Sequence, residues 1–145
     1  LQLALDRIDR ARDDPWWFGQ LSNARGNLAC LRAVLDRCDP NVRGPFGRTI
    51  LHDVAADWCS SEDRTGPATM LLDAGAKLDA RDDLLKSTPL GWACRWGCLE
   101  LVKLYLSRGA DAIEADAEPW ARPRAWAEKM KRAEVLAVLR EHEHS

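Results

Sequence analysis

An all-α solenoid of stacked helix–turn–helix units, joined by hairpin or turn fingers, is predicted by three observations. A helix-start pattern recurs: "RTILHDVAA" (48–56), "STPLGWACRWG" (87–97) and "ARPRAWAEKMK" (121–131) put Thr49, Thr88 and Arg122 in register, 39 and 34 residues apart. The downstream halves recur as well, since "MLLDAGAKLDARDD" (70–83) matches "LYLSRGADAIEADAE" (104–118) with Gly75 and Gly109 also 34 apart. Within each half, apolar residues fall at helical spacing. Self-similarity at such a period marks units too small to bury an apolar face alone, which stack to make one continuous core.

The third unit is the clearest. Thr88 is a helix N-cap whose hydroxyl can satisfy a free backbone N–H, and Pro89 stands at the first helical position, where its missing N–H costs nothing. That helix runs to about Trp96 and stops at Gly97; a second, over 99–108, puts Leu101, Val102, Tyr105 and Leu106 on one apolar face. Gly109, like Gly75 one unit earlier, suits the left-handed residue just past a helix end. The polar segments "KLDARDDLLKS" and "DAIEADAEPWA" are too short for another helix pair and read as fingers. The expected divisions are an N-terminal helix over 1–14, from the spacing of Leu1, Ala4, Leu5 and Ile8; a degenerate first unit over 15–47; a second over 48–86; a third over 87–120; and a fourth over 121–145. The second unit is expected to carry an insertion at 58–66 between its helices. In the last helix Val135, Leu136, Val138 and Leu139 are expected to face inward and Glu134, Arg140 and Glu141 to face solvent, as a C-terminal cap.

The 145 residues suffice for one domain and not for two ordinary ones. With 46% hydrophobic and 30% charged residues the composition is that of a soluble fold, and no stretch approaches the ~20 apolar residues of a membrane span. A net charge of −2 with interleaved signs offers no basic stripe for phosphate backbones, which argues against a nucleic-acid partner. Five cysteines at scattered positions fit a reducing, cytoplasmic compartment. No signal segment is legible, and a start inside a helical pattern suggests a fragment of a longer protein or a processed start. Arginine outnumbers lysine and alanine is abundant, which hints at a GC-rich, bacterial genome.

With Thr-Pro-Leu, Gly-Ala-Asp and a helix–turn–helix–finger period near 33, residues 16–142 resemble an ankyrin-repeat protein. The third repeat matches closely, whereas the first offers "DDPWWFGQLSNA" in place of the Thr-Pro start. The fourth has Arg122 in place of the capping Thr and Lys131 in place of the inter-helix Gly. The resemblance implies that His52 is a structural residue bridging neighbouring turns, and that Trp92 and Trp126 pack between adjacent first helices. It implies also that the two residues before each inter-helix glycine face a concave groove: Ala24 and Arg25, Asp57 and Trp58, Arg95 and Trp96, Lys129 and Met130. Aromatic and Arg side chains in such a column are the composition of interaction hot spots.

The expected partner-binding residues are therefore Arg25, Asp57, Trp58, Arg95, Trp96, Lys129 and Met130 on the concave face, with Arg43, Phe46, Arg81, Asp83, Leu84 and Trp120 on the fingers. The opposing expectation for the aromatics is that they fold down onto their own repeat. Cys94 and Cys98 lack the second ligand pair of a structural zinc site, and Cys94 falls where the family has a small buried residue. His142 and His144, two apart, belong to a polar tail. Next to His52 stands only Asp53, with no nucleophile context, and "GPFGRT" (44–49) lacks the Lys of a phosphate loop. No catalytic residue, cofactor or metal is expected. The reading is a monomeric, non-enzymatic module that presents a preformed surface to a protein partner. Its alternatives are a regulatory or substrate-recruiting domain of a larger enzyme or effector, and a thiol redox or metal role through Cys59, Cys94 and Cys98.

Overall fold

The computed structural model describes residues 9–56 and 64–143. Among them are eight α-helices in four pairs: α1 (Trp16–Ala24) with α2 (Leu28–Leu35), α3 (Ile50–Ala55) with α4 (Thr65–Asp73), α5 (Pro89–Trp96) with α6 (Leu99–Ser107), and α7 (Pro123–Lys129) with α8 (Ala133–Glu143). Each first helix packs on the first helix of the next pair and each second helix on the next second helix, so two layers run the length of the molecule. No strand occurs among the described residues; the fingers are turns, two of which close as short 3₁₀ segments at Pro45–Gly47 and Pro119–Ala121. This is a helical solenoid, in which each repeat touches only its neighbours.

The helix boundaries follow the local chemistry. The Thr88 hydroxyl accepts the Gly91 N–H at 3.2 Å, and Pro89 opens α5. Asn27 caps α2 by accepting the Cys30 N–H, and Asp14, before Pro15, accepts the Trp16 N–H at the start of α1. Gly97, at φ 70°, ends α5 in the left-handed region, which an L residue enters at a cost. Lys131 occupies the same place in the fourth repeat at φ 57° and carries that strain.

Two expectations are corrected. Residues 9–14 of the expected N-terminal helix are coil and turn, with residues 1–8 outside the described set. Pro15 disfavours helix in the residue before it, and the stretch is tied instead to the first helix pair. The Trp17 indole N–H donates to the Ala11 carbonyl at 2.9 Å, and the Arg12 guanidinium donates to the carbonyls of Asp36 and Cys38. In the second repeat α4 begins at Thr65, so Thr65 and Gly66 belong to the helix and not to the insertion; residues 57–63 lie outside the described ones. In α8 Val135 and Leu139 are fully buried and Leu136 and Val138 pack half-covered against the same core, while Glu134, Arg140 and Glu141 are exposed.

Apolar burial supplies most of the stability: Leu21, Leu31, Ile50, Leu51, Leu71, Leu90, Leu101 and Leu139 are closed to solvent between the layers. Buried polar groups fix how the repeats sit on one another. His52 Nδ1 accepts the Thr49 N–H at 2.9 Å, which leaves the proton on Nε2, and Nε2 donates across to the Ser87 carbonyl at 2.9 Å. The Ser87 hydroxyl in turn donates towards the Ala121 carbonyl at 3.0 Å and accepts the Trp126 indole N–H at 2.8 Å. Asp82, itself buried, accepts the backbone N–H groups of Leu84, Leu85 and Ser87, and the Trp92 indole N–H at 2.9 Å. Tyr105 donates from α6 to the Leu51 carbonyl in α3. The position inferred for Trp92 between first helices is the one found: it is 7% exposed and meets the His52 ring edge-on at 5.1 Å.

Burial lowers the His52 pKa from 6.5 to about 4, with the bond to Ser87 opposing. The unfolded chain therefore takes up a proton that the folded chain refuses, and stability is full above pH 6.5 and is lost as pH falls towards 4. Urea unfolding of the wild type should lose about 2 kcal/mol from this group between pH 7 and pH 5. His52→Asn should flatten that slope, the comparison cancelling the carboxylates common to both. Trp92→Ala, which empties an aromatic site and removes a donor from Asp82, should cost about 3 kcal/mol by the same measurement. Lys131→Gly should raise stability by about 0.5 kcal/mol or more by relieving the left-handed strain.

Candidate functional site

The inner helices and the fingers enclose a groove of about 560 Å³. Its lining comes from three repeats: Ser22 of α1 with Arg25 capping its end, Asp53 of α3 with Ala56 just beyond it, and Trp92, Arg95 and Trp96 of α5, with Arg48, Leu84 and Leu85 from the finger side. The floor is aromatic. Trp96 is half-buried and its ring lies 5.0 Å from that of Trp92, tilted by 32°. It thus combines both expectations, turning one part onto its own repeat and lining the groove with the rest.

The cations are held in different ways. Arg48 pairs with Asp53 at 2.6 Å. Arg25 donates to the carbonyl and hydroxyl of Ser22. The Arg95 guanidinium lies over two indoles, 4.6 Å from the Trp96 centroid and 5.2 Å from that of Trp126. Lys129 Nζ also lies over Trp126, at 5.5 Å, so the fourth repeat continues the column. Met130 is half-buried at the end of α7, where its N–H closes the helix. Asp57 and Trp58 lie outside the described residues.

The fingers divide into exposed tips and staples. Phe46 and Leu84 are each 61% exposed and Trp120 is 49% exposed, the last edge-on to Trp126. Asp83 is exposed and its N–H donates to the Phe46 carbonyl at 2.7 Å. Arg43 instead binds the fingers together, donating to the Arg81 carbonyl at 2.9 Å. Arg81 is likewise committed, bonding Asp116 at 3.0 Å and standing 3.7 Å from Glu114.

Glu114 and Asp82 are the residues that sequence reasoning did not single out. Glu114 sits at φ 50°, buried beside a cavity of about 710 Å³ between the fingers, and accepts the Thr88 hydroxyl at 2.6 Å. Burial raises its pKa against the Thr88 bond and the Arg81 charge. Finger length carries no signal for it: Gly109 to Arg122 is 13 residues, the same as Gly75 to Thr88.

For the thiol alternative, Cys94 is fully buried, and burial drives its pKa far above neutrality, which disfavours the thiolate that redox chemistry uses. Cys38 is likewise pushed up to about 12 by burial. Cys98 is half-buried and Cys59 lies outside the described residues. Among the described residues no group of three or more His, Cys, Asp or Glu is placed to hold a metal ion, and no helix is long and apolar enough to cross a membrane.

Comparison with known proteins agrees with the repeat architecture. The chain is 39% identical over 94 residues to the palmitoyltransferase Hip14 of Drosophila melanogaster; the match takes in 64% of this chain and 14% of that protein's length. A family model described as ankyrin repeats in three copies matches residues 20–116, two thirds of the chain, from within α1 to the finger that follows α6. With the capped helix pairs, the His52 bridge and that match in agreement, the chain belongs to the ankyrin-repeat family.

Proposed function

We propose that the chain is a non-enzymatic protein-binding module that receives a segment of its partner in the groove between inner helices and fingers. The observation that carries this reading is the aromatic floor, where Trp96 stacks at 5.0 Å on the buried Trp92 beneath the Arg95 guanidinium. Such a floor is ordered before any partner arrives, so little side-chain freedom is lost on binding. Trp and Arg in a partly desolvated pocket are also the residue types that dominate interface energetics. The exposed finger residues Phe46, Leu84 and Trp120 extend the surface at the groove's margin. Ankyrin repeats in general serve as protein-interaction modules.

A second reading is favoured by the likeness to a palmitoyltransferase over only 14% of that enzyme's length. On that reading the same groove recruits substrate or regulates activity for a larger polypeptide. The two differ in what lies beyond these residues and not in how the groove binds.

Affinity capture with the wild type beside an Arg95→Ala, Trp96→Ala double variant tests the groove, and proteins retained only by the wild type are the expected result. For a captured partner, Trp96→Ala alone should weaken binding by about 2 kcal/mol. It should cost the fold only about 1 kcal/mol, the scale of one aromatic contact. Partners retained equally by both proteins would place the binding surface elsewhere.

A further inference from the structure

Arg95 and Lys129 form a cationic corner that no carboxylate among the described residues neutralises. Both charges lie over the Trp126 ring, at 5.2 and 5.5 Å from its centroid, and the Arg95 guanidinium lies also over Trp96. Indole faces attract cations, but two like charges on one ring repel each other. Among the described residues no carboxylate is within ion-pair distance of either; Asp53 is engaged by Arg48 and Glu128 by Arg124. Arg95 Nε is buried without a hydrogen-bond acceptor. A guanidinium held in this way lacks a charged acceptor, and the group that best satisfies the N–H donors it still presents is an anionic oxygen.

We propose that this corner docks the carboxylate of a glutamate or aspartate in an extended partner segment, whose neighbouring bulky apolar residue lies against Trp96 and Leu84. The inference rests on the groove-binding reading and adds the chemistry of the occupant. A guanidinium stacked on indole rings keeps its edge for acceptors in its own plane, which is the geometry a carboxylate matches. Trp96 and the exposed Leu84 line the adjoining part of the groove and offer the apolar contact. The chain as a whole carries a net charge of −2, so an acidic segment is weakly repelled by the rest of the surface and steered to this corner. A single pair of cations, without a basic stripe, fits one carboxylate better than a nucleic-acid backbone.

A phage-displayed library of random linear peptides, selected in parallel on the wild type, Arg95→Met and Trp96→Ala, tests this directly. The wild type should enrich peptides carrying Asp or Glu beside Leu, Phe or Met. For a synthetic copy of an enriched peptide, changing its acid to the amide should weaken binding about tenfold, and Arg95→Met should do the same. Added salt should weaken the acidic peptide and not its amide. The amide comparison uses the unaltered protein and so holds whatever Arg95→Met does to the fold. Peptides that depend on Trp96 but show no acidic preference would overturn the carboxylate inference and leave groove binding standing. The same peptides on wild type and Trp96→Ala, or none on either, would overturn both.

Discussion

The hydrogen bond from the His52 ring to the Ser87 carbonyl sets the geometry on which the rest of the molecule depends. It crosses from one repeat to the loop that starts the next, and it is made in the dry interior, where an unmade bond would be costly. Ser87 passes the connection on, its hydroxyl reaching the Ala121 carbonyl and receiving the Trp126 indole. A solenoid has no distant contacts to correct an error in stacking, so each such bridge fixes the rotation of one repeat against its neighbour. Apolar packing alone would tolerate a range of slips between Leu51, Leu90 and Leu101; the polar bridges select one.

The groove is a product of that rotation. Trp92 is held from beneath by Asp82 and from the side by His52, and a fixed Trp92 gives Trp96 a surface to stack on. Arg95 then settles over Trp96 and Trp126, which belong to different repeats. The side chains facing the groove are thus ordered by groups behind them. Rigid support of this kind lets a small patch of aromatic and cationic side chains act without the entropic cost of assembling itself.

The fourth repeat keeps the geometry while changing the residues. Arg122, standing where the third repeat has its capping Thr88, does not cap α7; its guanidinium braces the preceding finger through the carbonyls of Ala115 and Ala117. Lys131 takes the left-handed turn that Gly97 takes at no steric cost. Both departures are tolerated because packing of α7 on α5 and of α8 on α6 outweighs one lost cap and one strained residue.

Much of this was legible in the chain itself. The repeat spacing, the Thr88-Pro89 start and Gly97 stop, and the burial of Trp92, Cys94 and Trp126 follow from local rules of helix capping and from the resemblance those residues carry. What the tertiary structure decided is where one repeat answers another. Asp82 reads as one of several acids in a polar finger, and only folding brings its carboxylate under Trp92. Arg43 and Arg81 read as exposed finger charges, yet they cross 38 and 35 residues to staple neighbouring fingers. Trp96 reads in the sequence as part of an exposed ridge, with a ring folded onto its own repeat as the opposing reading, and its half-buried stacking depends on Trp92 and Arg95 together. Periodicity records which face of a helix is apolar; it does not record the angle at which the next repeat is laid down, and that angle determines which charges find partners and leaves Arg95 and Lys129 over indole rings with no carboxylate partner among the described residues.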